Sequence, residues 1–170
     1  MPEDELLEVL DTYGRPFLFM PQRTVLRQKL PHRAVLIGLL DQEQKIYIHE
    51  QHWKGSRKLW DISAAGLALA GESAEDCARR AMWKTLGIRE PALRLLGKIA
   101  PSQRTEWRQN IIFVSRPSRA LINAPPEKDC SGIFVDQDEL AALRREMPEL
   151  LSPNLLLEAV TALIWQGQAI

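Results

Sequence analysis

Apolar and polar positions change rhythm several times along this chain, and each change predicts an element. Ala34 to Leu40 is an unbroken apolar run of strand length. A polar stretch, Asp41 to Gln44, follows it, and Ile46 and Ile48 then alternate with polar neighbours. The two runs and the turn between them predict a β-hairpin. Upstream, Leu6 to Asp11 fits either a strand or a helix with an acidic start. Tyr13 to Pro16 reads as a turn and Phe17 to Met20 as a short strand. Thr24 is placed to cap a short helix that Pro31 stops after Leu30. Leu59 to Ala65 is a further strand, ending at Gly66.

The strongest helix signal runs from Ser73 to Leu86. Ser73 is a natural N-cap, and Glu75 and Asp76 stand in the first turn, where the helix dipole favours negative charge. Ala78, Met82 and Leu86 recur at i, i+4 and i+8 and define the buried stripe. Gly87 suits a left-handed stop. Leu93 to Ile99, Asn110 to Ser115 and Gly132 to Val135 read as strands, and Pro117 to Asp129 as a proline-rich surface loop. Two helices close the chain, Glu139 to Glu146 and Asn154 to Gln166. The second has Ser152 as cap and Pro153 at its first position, with Leu156, Val160 and Leu163 on its buried side. Strands interrupted by helices, without strict alternation, predict a mixed sheet between helical layers.

Composition narrows the class. The 170 residues suit one domain with a real core. Lysine plus arginine and aspartate plus glutamate are both 22, so net charge gives no case for a nucleic-acid or membrane partner. No apolar run reaches membrane-spanning length, and the acidic N-terminus is unlike a secretory signal. Cys77 and Cys130 have no metal-ligand spacing, and free thiols in the cytoplasm are the default reading.

The stretch from Gly66 to Ile88 carries the chemistry. Gly66 is followed after five residues by Glu72, then after seven more by Arg80, with Met82, Gly87 and Ile88 completing the segment. This resembles the Nudix box, G-x5-E-x7-R-E-U-x-E-E-x-G-U, where U is bulky and apolar. The segments from Met20 (MPQRTVLRQKLPHRAVLIGLL) and Leu59 (LWDISAAG) are similar to Nudix proteins akin to isopentenyl-diphosphate isomerase. The likeness spans roughly residues 8 to 165. It implies a single α/β domain, a Nudix-type α/β/α sandwich with a mixed sheet. An N-terminal extension would reach to about residue 31, and the C-terminal helices would run from about 138 to 166.

The family chemistry that the resemblance implies is hydrolysis of diphosphate-linked compounds, helped by magnesium or manganese. Such hard cations want several oxygen ligands. Carboxylates at i, i+3 and i+4 share one helix face, and a fourth comes from the preceding loop. Here the loop glutamate is present as Glu72, while the three helical positions read Ala81, Lys84 and Thr85. Alanine offers no ligand, threonine only a neutral oxygen, and Lys84 puts a positive charge where the cation would sit. Glu106, Glu127 and Glu139 are carboxylates outside the box and candidates to supplement a metal site. Glu106 is the nearest match to an acidic metal ligand of the isomerase-like relatives. Glu72 and Arg80 also admit a structural reading, with the arginine bracing the loop, and Gly66 and Gly71 serve loop geometry.

The isomerase-like relatives place a reactive cysteine before the box glycine and a metal-binding histidine after it, where this chain has Ala65 and Leu67. His32 matches another metal-binding histidine of those relatives, without its partners. Lys54, Arg57 and Lys58, with Lys84, form a candidate basic pocket for an anionic, diphosphate-containing ligand. Their bland reading is a solvated loop. Among five tryptophans, Trp60 is expected in the core and Trp83 partly exposed, the latter a potential contact in a homo-oligomer. Three functions stay open: a Nudix hydrolase with impaired or altered metal-dependent activity, a non-catalytic ligand-binding or regulatory Nudix domain, and, more distantly, an isomerase-like enzyme.

Overall fold

The computed structural model describes residues 4–53, 55, 57–116 and 132–167. Among these residues, nine strands fall into two sheets. The larger sheet contains β1 (Leu6–Leu10), β2 (Pro16–Pro21), β3 (His32–Leu39), β6 (Ala64–Leu67), β7 (Leu93–Ile99) and β8 (Arg108–Ser115). Its order is β2-β1-β3-β8-β7, with β6 also pairing with β3. The β3–β8 pair is parallel, from His32 opposite Arg108 to Leu39 opposite Ser115, and the other pairs are antiparallel. The smaller sheet is antiparallel, in the order β5-β4-β9, from β4 (Ile46–Trp53), β5 (Arg57–Ile62) and β9 (Gly132–Val135).

The apolar run of β3 is explained by burial on both of its faces. Val35 and Ile37 pack with Ile111 and Phe113 of β8 against α2 (Ala74–Leu86), through Cys77, Ala78, Ala81 and Met82. Leu36 faces the other way with Ile112, into a cluster shared with Ile48 and Ile62 of the small sheet. Leu140 of α3 (Gln137–Glu146), Leu155 of α4 (Pro153–Leu156) and Val160 and Ile164 of α5 (Glu158–Gln166) close that cluster. The mixed sheet between helical layers is therefore present. Period-two alternation sends neighbouring residues of one strand into two separate cores.

Several local expectations are corrected. The predicted hairpin of Ala34–Leu40 with Ile46 and Ile48 reduces to one bridge, Leu40 with Ile46, because β3 and β4 enter different sheets. Leu59 to Ala65 is divided between β5 and β6, so this segment passes from one sheet to the other. The first helix, α1, spans Gln22–Arg27 and starts at Pro21, with Thr24 inside it rather than at its cap. The last helix breaks at Leu157, which turns Leu156 outward and buries Leu155 in its place. Leu6 to Leu10 resolves as a strand. The α2 signals hold: Ser73 Oγ accepts from the Asp76 N–H at 3.1 Å, and Gly87 takes φ 69°. The predicted loop from Pro117 to Asp129 lies outside the described residues.

Candidate functional site

Two structures meet at the Gly66–Ile88 stretch: a braced loop and a cleft. In the loop, Arg80 grips Glu72 at two points. Its Nε donates to Glu72 Oε2 at 3.0 Å and its Nη2 to Oε1 at 2.9 Å, and Nη2 also donates to the Leu67 carbonyl at 2.8 Å. The Leu69 N–H donates to the same carboxylate at 3.1 Å. Burial alone would raise the Glu72 pKa, but the bonds from Arg80 and Leu69 prevail and hold it below the usual carboxylate value. Arg33 adds a second brace that sequence reading missed. Its Nη2 donates to the Glu72 carbonyl at 2.7 Å and pairs with Glu8 at 2.9 Å. Glu8 in turn accepts from the Gly71 N–H at 2.8 Å, and Gly71 takes φ 77°, a left-handed turn that favours glycine.

Cys77 lies under this brace, fully buried. Burial, then the Glu72 charge, pushes its thiol up to about 12, so it stays protonated and inert. Cys130 lies outside the described residues. Gly66 sits in β6 facing α2. A Cβ there would stand 3.5 Å from the Ala81 Cβ, an ordinary contact. Ala81 itself is buried in the α2 cluster, whereas Lys84 is exposed.

The cleft, a cavity of about 190 Å³, opens between the two sheets and is lined by β3, Gly66 and Leu67 of β6, and Gln51 and Trp53 of β4. Asp61, Arg108 and Asn154 complete it. Asp61 is almost wholly buried, and its bonding is saturated. Oδ1 accepts from Ser152 Oγ at 2.6 Å, Asn154 Nδ2 at 3.0 Å and the Ile62 N–H at 2.8 Å, and Oδ2 accepts from Gln51 Nε2. Ser152 thus spends its hydroxyl on Asp61 rather than on capping α4. The signal for Asp61 was one carboxylate inside the otherwise apolar LWDIS strand.

Arg57, Lys58 and Lys84 are exposed, and none is among the residues lining the cleft. Arg57 donates to the Glu149 carbonyl at 2.8 Å and lies cross-strand from Trp53. Lys54 lies outside the described residues. The cation inside the cleft is Arg108, which sequence reading passed over.

His32 and Glu106 border a different cavity, beside Arg108, whose guanidinium stands 3.9 Å from Glu106. Glu139 is consumed by the capping box of α3, and Glu127 lies outside the described residues. Among the described residues no group of three histidine, cysteine, aspartate or glutamate side chains is placed to hold a metal ion. The donor set around the box does not fit magnesium or manganese: its one glutamate is bound by an arginine, and the helical positions supply no carboxylate. Among those same residues, no helix is long and apolar enough to cross a membrane.

Comparison with known proteins agrees with this architecture. Among curated proteins no relative matches the chain. The crystal structure of DR0079 from Deinococcus radiodurans superposes with a TM-score of 0.73 at 21% identity, covering 93% of this chain and 98% of its own. A MutT structure, from work on the Aliivibrio salmonicida and Vibrio cholerae proteins, gives a TM-score of 0.54 at 17% identity, covering 79% of this chain and 97% of its own. The family model for the NUDIX domain matches residues 30–153, the span from β3 to the start of α4. By that match, which takes in the box, the small sheet and every strand of the larger sheet except β1 and β2, the chain belongs to the Nudix family.

Proposed function

We propose that this Nudix protein binds a small anionic, diphosphate-containing ligand in its cleft and lacks the ordinary magnesium-dependent hydrolysis of its family. One observation carries the reading. Both oxygens of the single box glutamate, Glu72, are engaged by Arg80, and the helix positions that would complete a cation site are Ala81, Lys84 and Thr85. A divalent ion would have to displace a two-point arginine pair and then find no further carboxylate on the helix. The remaining acid of the cleft, Asp61, already accepts four hydrogen bonds, so it is poorly suited to act as a base toward water. Arg108 inside the cleft favours an anion. Lys84, on the flank of α2 one turn from Arg80, adds charge of the same sign.

Manganese titration followed by electron paramagnetic resonance tests the metal half. The expected result is no saturable site tighter than about 1 mM. A stoichiometric site lost on Glu72→Gln, or magnesium-dependent release of phosphate from a nucleoside diphosphate derivative, overturns the reading in favour of a surviving hydrolase. Inorganic diphosphate tests the ligand half. It should raise the melting temperature without metal, and Arg108→Ala and Lys84→Glu should each reduce the rise. No rise with the unaltered protein removes the anion-binding half.

A further inference from the structure

The six-stranded sheet ends at β2, and this edge is unlike the rest of the surface. Among the described residues β2 pairs with β1 alone. Its sequence, PFLFMP, is apolar throughout and faces solvent: Phe17 is 63% exposed, Phe19 57% and Leu18 44%. Leu6, cross-strand from Pro21 on β1, is exposed as well, and so is Tyr13 in the turn before β2. Edge strands commonly carry charges that discourage a further strand from pairing, and β2 carries none. Trp83, the contact expected from sequence, is less available, because the Arg89 guanidinium lies 4.8 Å from its ring centre.

The backbone of this edge is open too. The Gln22 N–H donates to the Glu5 carbonyl at 2.8 Å, and the register continues with Met20 opposite Leu7 and Leu18 opposite Val9. Hydrogen-bonded positions alternate along an antiparallel pair. Gln22, Met20 and Leu18 therefore turn their backbone groups toward β1, and Phe19 turns its N–H and C=O outward. Pro16 and Pro21 bound the strand, and its register with β1 slips at Phe17. The stretch on offer is short, which suits one partner strand.

We propose that β2 is a homodimer interface, pairing antiparallel with β2 of a second copy of this chain about a two-fold axis. An edge strand that pairs with itself makes an isologous contact, which closes at two copies. Charge sets the register. With the axis at Leu18, Phe19 lies opposite Phe17 of the copy, an aromatic cross-strand pair formed twice. Arg15, which is exposed, then falls opposite Pro21 of the copy, next to the row that holds the exposed Glu5. An axis at Phe19 would instead set Arg15 opposite Arg23, two like charges. The area suffices for a weak dimer. The exposed parts of Phe17, Leu18, Phe19, Leu6 and Tyr13 amount to on the order of 500 Å² per protomer. The pair would bury about 1,000 Å², the lower end of specific interfaces.

Sedimentation equilibrium of the full chain up to about 200 μM tests the proposal, with an expected dimer Kd on the order of 10 μM. Phe19→Lys, at an exposed position, should weaken association about tenfold or more while leaving the melting temperature of the monomer unchanged. Leu18→Cys tests the register in a Cys130→Ser background. Residues facing each other at a non-hydrogen-bonded site stand about 4.5 Å apart at Cα, so diamide should link Leu18→Cys into a covalent dimer. Trp83→Cys in the same background should stay monomeric. The proposal is overturned if the chain is monomeric throughout the range, or if Leu18→Cys fails to cross-link. A dimer that survives Phe19→Lys also overturns it, since another face then makes the contact. So does a monomer that floats with phosphatidylcholine–phosphatidylglycerol vesicles only while Phe19 is intact, since the edge then serves a membrane. Diphosphate binding in the cleft is read separately and is untouched by any of these outcomes.

Discussion

The Glu72 carboxylate is held by Arg80 on two oxygens and by a backbone N–H on one, so its charge is committed before any ligand arrives. This bears on stability as directly as on chemistry. Arg80→Ala would leave Glu72 without its cation and the Leu67 carbonyl without its donor, and it should cost roughly 2 kcal/mol. The pH dependence has a definite sign. Glu72 titrates lower in the folded chain than its ordinary 4.5, so the folded state binds fewer protons than the unfolded state around and below that pH. Its stabilisation is complete above 4.5 and is lost as pH falls through the lower folded value. Urea denaturation of the unaltered protein and of Arg80→Ala should therefore give a gap that is constant near neutrality and narrows below pH 4.5. A gap independent of pH would show that Arg80 acts through packing alone.

At the scale of elements, what could be read in the sequence was local. The α2 helix carries its own signals: a serine cap, acidic first-turn residues, a stripe of small and apolar residues, and a left-handed glycine stop. Strand pairing depends on partners far away in the chain. Ile46 follows Leu40 closely, yet β3 takes β6 and β8 as neighbours, with β8 more than seventy residues downstream. No turn signal encodes that choice. The break at Leu157 was hidden for a similar reason. Ser152 looks like a helix cap, but a buried Asp61 competes for its hydroxyl. The contact between β3 and α5 offers an element-scale prediction. A Cβ on Gly38 would stand 2.6 Å from Ile164 Cδ1 and 3.0 Å from its Cγ2. Gly38→Ala should thus destabilise by about 1–3 kcal/mol through overpacking. Ile164→Val removes the nearest methyl group, so the double variant should recover part of the loss. Additive losses in the cycle would mean that the two positions do not touch.

Across the whole molecule, Asp61 fastens parts that are distant in sequence. Its four hydrogen bonds join Gln51 on β4 and its own strand β5 to Ser152 and Asn154 around the start of α4. The Ser152 N–H adds a backbone bond to the Trp60 carbonyl at 2.8 Å, and Trp60 and Leu151 form a parallel bridge. The small sheet and the C-terminal helices are thereby held as one unit, which also fixes the cleft wall made by Gln51, Asp61 and Asn154. The carboxylate is well suited to this place because every neighbouring side chain group donates. Asp61→Asn keeps the shape but replaces one oxygen with an NH₂ group that faces donors. It should cost about 2–4 kcal/mol, since the amide is then buried with at least one donor unmet. Asp61→Ala leaves Ser152 and Asn154 without an acceptor and should cost as much or more. The loss should also be localised. Hydrogen exchange in Asp61→Asn should speed up in β4, β5 and α5 before it does in α2, whose core lies on the other side of the large sheet. Uniform acceleration across both cores would instead show that the two layers open only together, and that the carboxylate sets global stability rather than the attachment of one layer.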